Sequence, residues 1–203
     1  KQANIHILYL SATPIPRTMN LVYSGLKDFS FLHTAPSNRI SIKSFLKLHT
    51  SQILKEALSR EKNRGGQCFI VQNDISKMAS IKKEINNILP NFKVATAHGK
   101  LSKKDINMVM NDFKNGNIDG LICTTIVEMG LDIPNANTMI ITNSHNFGLS
   151  QLHQLRGRVG RSDKQGYCYF LIPTMDIPNI SRNRLDAVIK HSKLGEGFLI
   201  AQE

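Results

Sequence analysis

Short apolar runs alternate with longer amphipathic stretches along most of the chain. Compact apolar runs are typical of buried strands, whereas apolar positions three and four residues apart are typical of helices. Strands that alternate with helices predict crossover connections, and therefore an α/β fold with a parallel sheet. The predicted strands are residues 5–10, 42–48, 67–72, 93–97, 118–123, 138–142 and 167–172.

The helices predicted between these strands carry boundary signals. Thr50 or Ser51 can cap the first helix, and Ser102 with Asp105 forms an approximate capping box at another. Pro90 stops a third helix, because proline has no N–H with which to continue the hydrogen-bond pattern. Two further helices are predicted near residues 149–155 and 182–193.

Composition indicates a folded domain with an excess of positive charge. Hydrophobic residues make up 41% of the 203 residues, enough to form a core, so general disorder is excluded. No run of about 18 apolar residues occurs, so no membrane-spanning helix is predicted. The 26 Lys and Arg outnumber the 15 Asp and Glu, which gives a net charge of +11. This excess is typical of a domain that binds nucleic acid, and equally of a solvated, lysine-rich surface.

The three cysteines favour a reducing compartment. Cys68, Cys123 and Cys168 all lie inside apolar runs, as buried thiols do, and no two have the short spacing of a zinc site. The first residues also lack the basic and apolar layout of a secretory signal. We therefore expect a cytoplasmic protein without a metal site in this chain.

The segment Gln154–Arg161 (QLRGRVGR) holds the most distinctive candidate chemistry. Its guanidinium groups supply planar forks for phosphate oxygens, and its glycines allow close approach of the backbone. Arg158 and Arg161 are three residues apart, so a helical turn would place them on one side, where both could reach one triphosphate. The alternative is a basic surface turn.

Hydroxyl-bearing residues follow two of the predicted strands. Thr124 and Thr125 come directly after one strand, and Ser11 and Thr13 come after another. The functional loops of parallel sheets lie at the carboxyl ends of strands, and such hydroxyls contact phosphate and ribose. Each pair is a weak signal alone, whereas their order and spacing with the arginine segment are specific.

These three segments resemble motifs three, five and six of superfamily-two helicases. The resemblance covers essentially the whole chain, and the runs Thr13–Thr18, Ala97–Gly99 and Phe147–Arg161 are similar to the transcription-repair coupling factor family. RecG helicases are that family's nearest relatives and share several runs. Residues 20–28 and Thr34–Pro36 favour the coupling factors.

The resemblance implies a RecA-like fold, in which two lobes bind ATP in the cleft between them. It makes Arg158 and Arg161 arginine fingers, with Arg161 at the γ-phosphate. Gly130 and Asp132 would help to close the nucleotide site. Glu128 is a general base by residue type, but we expect it to orient the arginines or a backbone amide.

The same resemblance implies a DNA-binding side. The residues expected there all follow predicted strands: Thr124, Thr125, His98, Gly99 and, more weakly, Gln72 and Asn73. His98 has a second interpretation as a packed surface histidine. Three polar residues are expected to link the nucleotide state to the grip on DNA: Ser11, Thr13 and Gln154.

Two parts of such a motor are missing from the sequence. No Gly-x-x-x-x-Gly-Lys-Ser/Thr phosphate loop occurs, and no strand ends in the Asp–Glu pair that binds Mg²⁺. We therefore interpret residues 1–35 as the tail of the first lobe, 36–178 as the second lobe, and 179–203 as the start of a truncated helical hairpin. ATP and Mg²⁺ are expected in the full-length protein, and no ATPase activity is expected from this chain alone.

The function that the resemblance implies is ATP-dependent translocation on double-stranded DNA, which displaces stalled RNA polymerase and couples transcription to nucleotide excision repair. The expected partners are duplex DNA and, through domains outside this chain, RNA polymerase and excision-repair proteins, in the bacterial cytoplasm and with no membrane contact. Two alternatives stay open: a lobe of a RecG-type branch-migrating helicase, and a non-catalytic nucleic-acid-binding module.

Overall fold

The sheet consists of parallel strands throughout the part of the chain that this computed structural model describes, which is residue 30, residues 40–125 and residues 133–191. The strands are β1 Lys43–Leu48, β2 Gln67–Val71, β3 Val94–Ala97, β4 Gly120–Cys123, β5 Ala136–Ile141 and β6 Tyr167–Ile172. Their order across the sheet is β1-β6-β5-β2-β4-β3. The predicted parallel α/β sheet is confirmed, and the strand predicted at residues 5–10 lies outside the described residues.

The helices of the described residues begin close to their sequence signals. They are α1 Ser51–Asn63, α2 Ile75–Ile88, α3 Lys103–Lys114, α4 Leu149–Arg156 and α5 Asn179–Lys190. Thr50 caps α1 by accepting the N–H of Ile53 at 3.2 Å, and Ser102 caps α3 by accepting the N–H of Asp105 at 3.1 Å. α5 begins earlier than predicted because Pro178 supplies a backbone angle from which a helix can start. None of these helices combines the length and the apolar character needed to cross a bilayer.

Two hydrophobic cores lie on opposite faces of the sheet, because alternate residues of a strand point to opposite sides. Ile70 packs in the core that includes residues of α1 and α2, whereas Phe69 and Val71 pack in the core that includes residues of α3, α4 and α5. Strands buried on both faces appear in the sequence as continuous apolar runs. The apolar runs therefore identify the strands well.

Helix α5 packs in the same helical layer as α3 and α4. Its residues Leu185 and Val188 are fully buried in that core. The interpretation of residues 179–203 as the start of a helical hairpin stays a prediction, because residues 192–203 lie outside the described part of the chain. The boundary proposed at residue 35 also lies outside it.

The three cysteines are buried, as their apolar surroundings predict. Burial raises the pKa of the Cys68 and Cys123 thiols well above the ordinary value, and raises that of Cys168 to about 12. Thiols of this kind stay protonated at neutral pH and react poorly. The cysteines therefore act as small apolar residues of the core.

Phe113 is the fully buried residue of α3, and its ring meets Phe69 edge-on at 5.1 Å between centroids. Phe113→Ala is expected to lower the free energy of unfolding by about 3–5 kcal/mol, because burial is lost and a cavity remains. Met108→Ala on the same helix, where the side chain is 59% exposed, is the control and should change it by less than about 0.5 kcal/mol. Urea unfolding measures both, and equal losses would contradict this packing.

Candidate functional site

The carboxyl ends of β3, β4 and β2 lie side by side at one edge of the sheet. Ala97, Cys123 and Val71, the last residues of these strands, are partners in the strand register. The residues that follow them are therefore brought together along what we call the carboxyl edge. They are the six candidates for the DNA side: His98, Gly99, Thr124, Thr125, Gln72 and Asn73.

These residues differ in their exposure. Asn73 and Gly99 are exposed, whereas Thr124, Thr125 and His98 are half-buried. His98 Nδ1 is shielded from solvent and makes no hydrogen bond with any described residue. The ring is thus partly packed, and its role toward DNA stays a prediction.

Gln72 supports the edge from inside. Its side chain is only 3% exposed, and its Oε1 accepts the backbone N–H of Asp74 at 3.0 Å. Its own N–H donates to the carbonyl of Cys123 at 2.9 Å, which ties the ends of β2 and β4 together. Gln72 therefore orders the turn that presents Asn73, and it is the least accessible of the six.

The sequence reasoning missed another residue of this edge. Asn143 follows β5, the neighbour of β2, and has a left-handed backbone with φ of 49°, a conformation that asparagine tolerates. Thr142 donates its hydroxyl to the carbonyl of Val71 at 2.9 Å, and Ser144 donates to that of Leu171 at 3.1 Å. Asn143 is held between two fixed neighbours. A polar run directly after an apolar strand was the available signal.

The arginine segment lies at the opposite edge, which we call the amino edge. Gly160 packs against residues that precede β1 and β6: a Cβ atom on it would lie 3.1 Å from Ile42 Cγ1 and 3.5 Å from Gly166 Cα. A helix between parallel strands returns the chain across the sheet, here by about 20 Å for six-residue strands. The arginine segment therefore does not lie at the carboxyl ends of the strands, where functional loops were expected.

Arg158 and Arg161 do not share a helical turn, so the predicted helical arrangement of these two arginines is wrong. Helix α4 ends at Arg156, and Gly160 adopts a left-handed backbone with φ of 69° between the two arginines. Glycine suits this position because it accepts both the angle and the close packing. Arg158 is half-buried and Arg161 is exposed. Their contact with one triphosphate stays a prediction.

Arg156, the third arginine of the segment, has a structural role. Its side chain is 4% exposed, and it donates to the carbonyl of Val188 in α5 and pairs with His153 Nδ1 at 2.8 Å. Burial, reinforced by the charge of Arg156, lowers the pKa of His153 to about 4. The neutral ring can accept the guanidinium N–H at neutral pH. Arg156 therefore joins α4 to α5.

The remaining predicted site residues are placed only in part. Gln154 is half-buried on α4. The structure describes the chain again from residue 133. Asn135 lies at the amino edge, because its carbonyl accepts the N–H of Gln67, the first residue of β2, at 2.9 Å. Five predicted residues lie outside the described residues: Ser11, Thr13, Glu128, Gly130 and Asp132.

The amino edge carries side chains of a type that suits the phosphates of a nucleotide. The arginines of the amino edge are phosphate-binding groups by chemistry. In residues 40–125 and 133–191, no group of three or more His, Cys, Asp and Glu side chains could hold a metal ion.

Comparison with known proteins defines the class. Residues 49–163 match the family of the helicase conserved C-terminal domain, and the chain belongs to this family. A structure of RecG bound to a three-way DNA junction matches with a TM-score of 0.78 and 34% identity, over 100% of this chain and 28% of that one. The structure of Saccharomyces cerevisiae Dbp5 with RNA and ADP BeF3 matches with a TM-score of 0.63 and 17% identity, over 89% and 47%, and shares the fold alone.

More specific relatives are named transcription-repair-coupling factor, as the sequence resemblance predicted. The chain is 42% identical to that of Escherichia coli K12 over 201 residues, which are 98% of this chain and 18% of that protein. It is 44% identical to that of Helicobacter pylori J99, over 98% and 20% respectively. For the Buchnera aphidicola (Baizongia pistaciae) protein the values are 42%, 98% and 29%. The chain thus spans less than a third of each relative.

The neutral state of His153 predicts a loss of stability in acid. Its folded pKa of about 4 lies below the ordinary 6.5, so between these values the unfolded chain binds a proton that the folded chain does not. The free energy of unfolding should therefore fall as the pH drops from about 6.5 to about 4, by about 2–3 kcal/mol from this residue. His153→Gln keeps an acceptor for Arg156 and cannot titrate, so denaturant unfolding across this range should show a shallower slope. An unchanged slope would contradict the assignment.

Proposed function

We propose that this chain is the second motor lobe of an ATP-dependent double-stranded DNA translocase of the transcription-repair coupling factor type. The observation that carries the proposal is the division of candidate residues between two edges of one rigid sheet. The arginine segment lies at the amino edge, and the strand-end residues lie at the carboxyl edge. Identity of 42% over nearly the whole chain to coupling factors supports this type.

At the amino edge, the proposed task is to sense phosphates. ATP, when bound, supplies the phosphoryl transfer that drives the motor. Arg161, an exposed residue, would contact the γ-phosphate, because a planar guanidinium fork matches phosphate oxygens and offsets the charge that develops during transfer. Arg158 would approach from another direction, since the chain turns at Gly160 between them. We assign the Mg²⁺ ligands and the phosphate loop to the first lobe.

At the carboxyl edge, the proposed task is to hold the DNA backbone. Asn73, Thr124 and Thr125 offer small polar groups, and Gly99 allows close approach to its backbone. Contacts of this kind reach phosphate oxygens and carry no sequence information, so binding should depend on salt and little on sequence. The net charge of +11 supports a polyanionic partner.

The sheet would couple the two tasks. Strands β2 and β4 run from one edge to the other and are buried along their whole length. Close-packed interiors resist deformation, so a movement imposed at the amino edge by nucleotide binding would displace the carboxyl edge as one body. ATP-driven closure of the cleft would thereby move the DNA contacts.

In the full-length protein, we propose that this motor displaces stalled RNA polymerase and couples transcription to nucleotide excision repair. RNA polymerase and excision-repair proteins would bind parts outside this chain. The bacterial origin of the relatives and the three buried thiols support a bacterial cytoplasmic location. The chain alone is proposed to lack ATPase activity, because its sequence contains no phosphate loop.

A RecG-type branch-migrating lobe is the second candidate. It is supported by the TM-score of 0.78 and 34% identity to a RecG structure. The higher identity to coupling factors, 42% over nearly the same span, favours the first candidate. A non-catalytic module is disfavoured because arginines stand at both proposed finger positions, Arg158 and Arg161.

Arg161→Ala in the full-length protein is expected to lower kcat for ATP at least about 10³-fold, the scale of a lost arginine finger. The affinity for duplex DNA should stay unchanged, because Arg161 lies at the edge remote from the DNA candidates. Lys164→Ala, which removes a positive charge from an exposed position of the same loop, is the control and should keep normal turnover. ATPase and DNA-binding assays at one salt concentration measure both. Normal turnover in Arg161→Ala would exclude the finger assignment.

Asn73→Ala is expected to weaken duplex binding by about 3–10-fold, the value of one hydrogen bond, and equally for unrelated DNA sequences. Asn87→Ala is the matched control, because Asn87 is also exposed but lies near the end of α2 toward the amino edge. Fluorescence anisotropy with two duplexes of different sequence measures both variants. Equal effects of the two variants, or a loss confined to one sequence, would contradict the carboxyl-edge site.

A further inference from the structure

The loop Arg161–Gly166, which we call the arginine loop, is fixed to helix α1. Arg64, directly after the last residue of α1, donates from Nη1 to the backbone carbonyl of Gln165 at 2.7 Å. Its guanidinium carbon also lies 5.0 Å from the ring centroid of Tyr167 at the start of β6. Arg64 therefore holds the loop at a point four residues beyond Arg161.

Arg64 is itself oriented by a buried carboxylate. Glu61 is fully buried, and Arg64 donates from Nε to its Oε1 at 3.0 Å and from Nη2 to its Oε2 at 2.5 Å. The Thr138 hydroxyl on β5 also donates to Oε2. A two-point contact fixes the plane of the guanidinium, and its Nη1 group then lies beside the carbonyl of Gln165.

Gly66 makes room for this arrangement. A Cβ atom at this position would lie 1.8 Å from Glu61 Oε1, a distance at which the carboxylate would have to move. The glycine, the buried carboxylate and the arginine thus form one unit at the end of α1. An ion pair with a buried member adds little net stability compared with an apolar pair of the same volume. The contribution of the Glu61–Arg64 pair is therefore the fixed orientation of the Arg64 guanidinium.

Further contacts hold the rest of the arginine loop. Ser162 donates its hydroxyl to Asn137 Oδ1 at 3.0 Å, and Gln165 Nε2 donates to the carbonyl of Ser41 at 2.6 Å. The last residue of the loop packs against Gly160, the residue before the loop, because a Cβ atom on Gly166 would lie 2.9 Å from Gly160 Cα. The loop is therefore anchored on both sides of its exposed arginine, and Arg64 supplies one of these anchors.

We propose that Arg64, oriented by Glu61, is a positioning residue that sets the placement of Arg161 toward the nucleotide phosphates. The inference rests on the proposed finger role of Arg161. A misplacement of a catalytic group by about 1 Å can cost about 10²-fold in rate, so an anchor of this kind affects turnover without touching the nucleotide.

Arg64→Lys in the full-length protein is the first test. Lysine keeps a positive charge beside Glu61, but a single ammonium group cannot hold both carboxylate oxygens and the Gln165 carbonyl in the planar geometry of the fork. We expect kcat for ATP to fall about 10-fold or more, with KM for ATP, DNA affinity and Tm close to those of the wild type. A wild-type kcat would overturn the proposal.

Arg60→Lys is the matched control. Arg60 lies one turn earlier on α1, and its guanidinium carbon is 5.1 Å from the centroid of the same Tyr167 ring. Its hydrogen-bond partners are Glu56 at 2.7 Å and the Tyr169 hydroxyl at 2.8 Å, neither of which belongs to the arginine loop. Its kcat should match the wild type, and a loss equal to that of Arg64→Lys would overturn the proposal.

The double variant Arg64→Lys/Arg161→Ala tests whether Arg64 acts through Arg161. Its turnover should equal that of Arg161→Ala alone, because the positioning has no effect once the finger is gone. A further loss of about 10-fold in the double variant would show that Arg64 acts elsewhere. Normal turnover in Arg161→Ala would instead contradict the proposed function itself, so the two failures are distinguishable.

A second variant guards against loss of folding. If Arg64→Lys lowers Tm strongly, Glu61→Gln/Arg64→Met removes both charges together and leaves no unpaired buried carboxylate. It has no donor for the Gln165 carbonyl, so its kcat per folded molecule should fall to the same extent as expected for Arg64→Lys. A wild-type kcat per folded molecule in this variant would overturn the proposal.

Discussion

Parallel strand pairing is the constraint from which the functional geometry follows. Each connection between neighbouring parallel strands must carry the chain back across the sheet, so residues after a strand and residues after a connecting helix are placed at opposite edges. In this chain the first group contains Asn73, Thr124 and Thr125, and the second contains Arg161. The division between a proposed DNA-binding edge and a proposed nucleotide edge is therefore a consequence of topology.

Arginines at the amino edge serve three different physical purposes. Arg156 is buried and joins α4 to α5 through the carbonyl of Val188. Arg64 is held by the buried carboxylate of Glu61 and reaches the arginine loop. Arg161 is exposed and is proposed to meet phosphate. The arginine side chain thus joins helices, anchors a loop or is proposed to bind a ligand, according to the residues that surround it.

Features with a local cause could be predicted from the sequence. The capping of α3 by Ser102, the burial of Cys168 and the span of β6 all follow from neighbouring residues or from apolar runs. The shared location of the six strand-end candidates also follows from the sequence pattern, because the carboxyl ends of parallel strands meet at one edge of the sheet. The edge of the arginine segment was not anticipated, because that requires following the chain through α4.

Features with a long-range cause could not be predicted. Arg64 and Gln165 are 101 residues apart, and Glu61 and Thr138 are 77 apart, so their contacts leave no periodic signal in the sequence. The break between Arg158 and Arg161 depends on Gly160, whose left-handed backbone fits the packing against Ile42. A spacing of three residues suggested a helical turn that the fold does not form.

The division of DNA and nucleotide between two edges of the sheet is tested most directly by the structure of the full-length motor with duplex DNA and a non-hydrolysable ATP analogue. We expect the Arg161 guanidinium within hydrogen-bonding distance of the γ-phosphate, and DNA phosphates beside Asn73 and Thr125 at the other edge. A bound analogue with the Arg158 and Arg161 guanidinium groups both turned away from it, or DNA lying across the amino edge, would contradict this expectation.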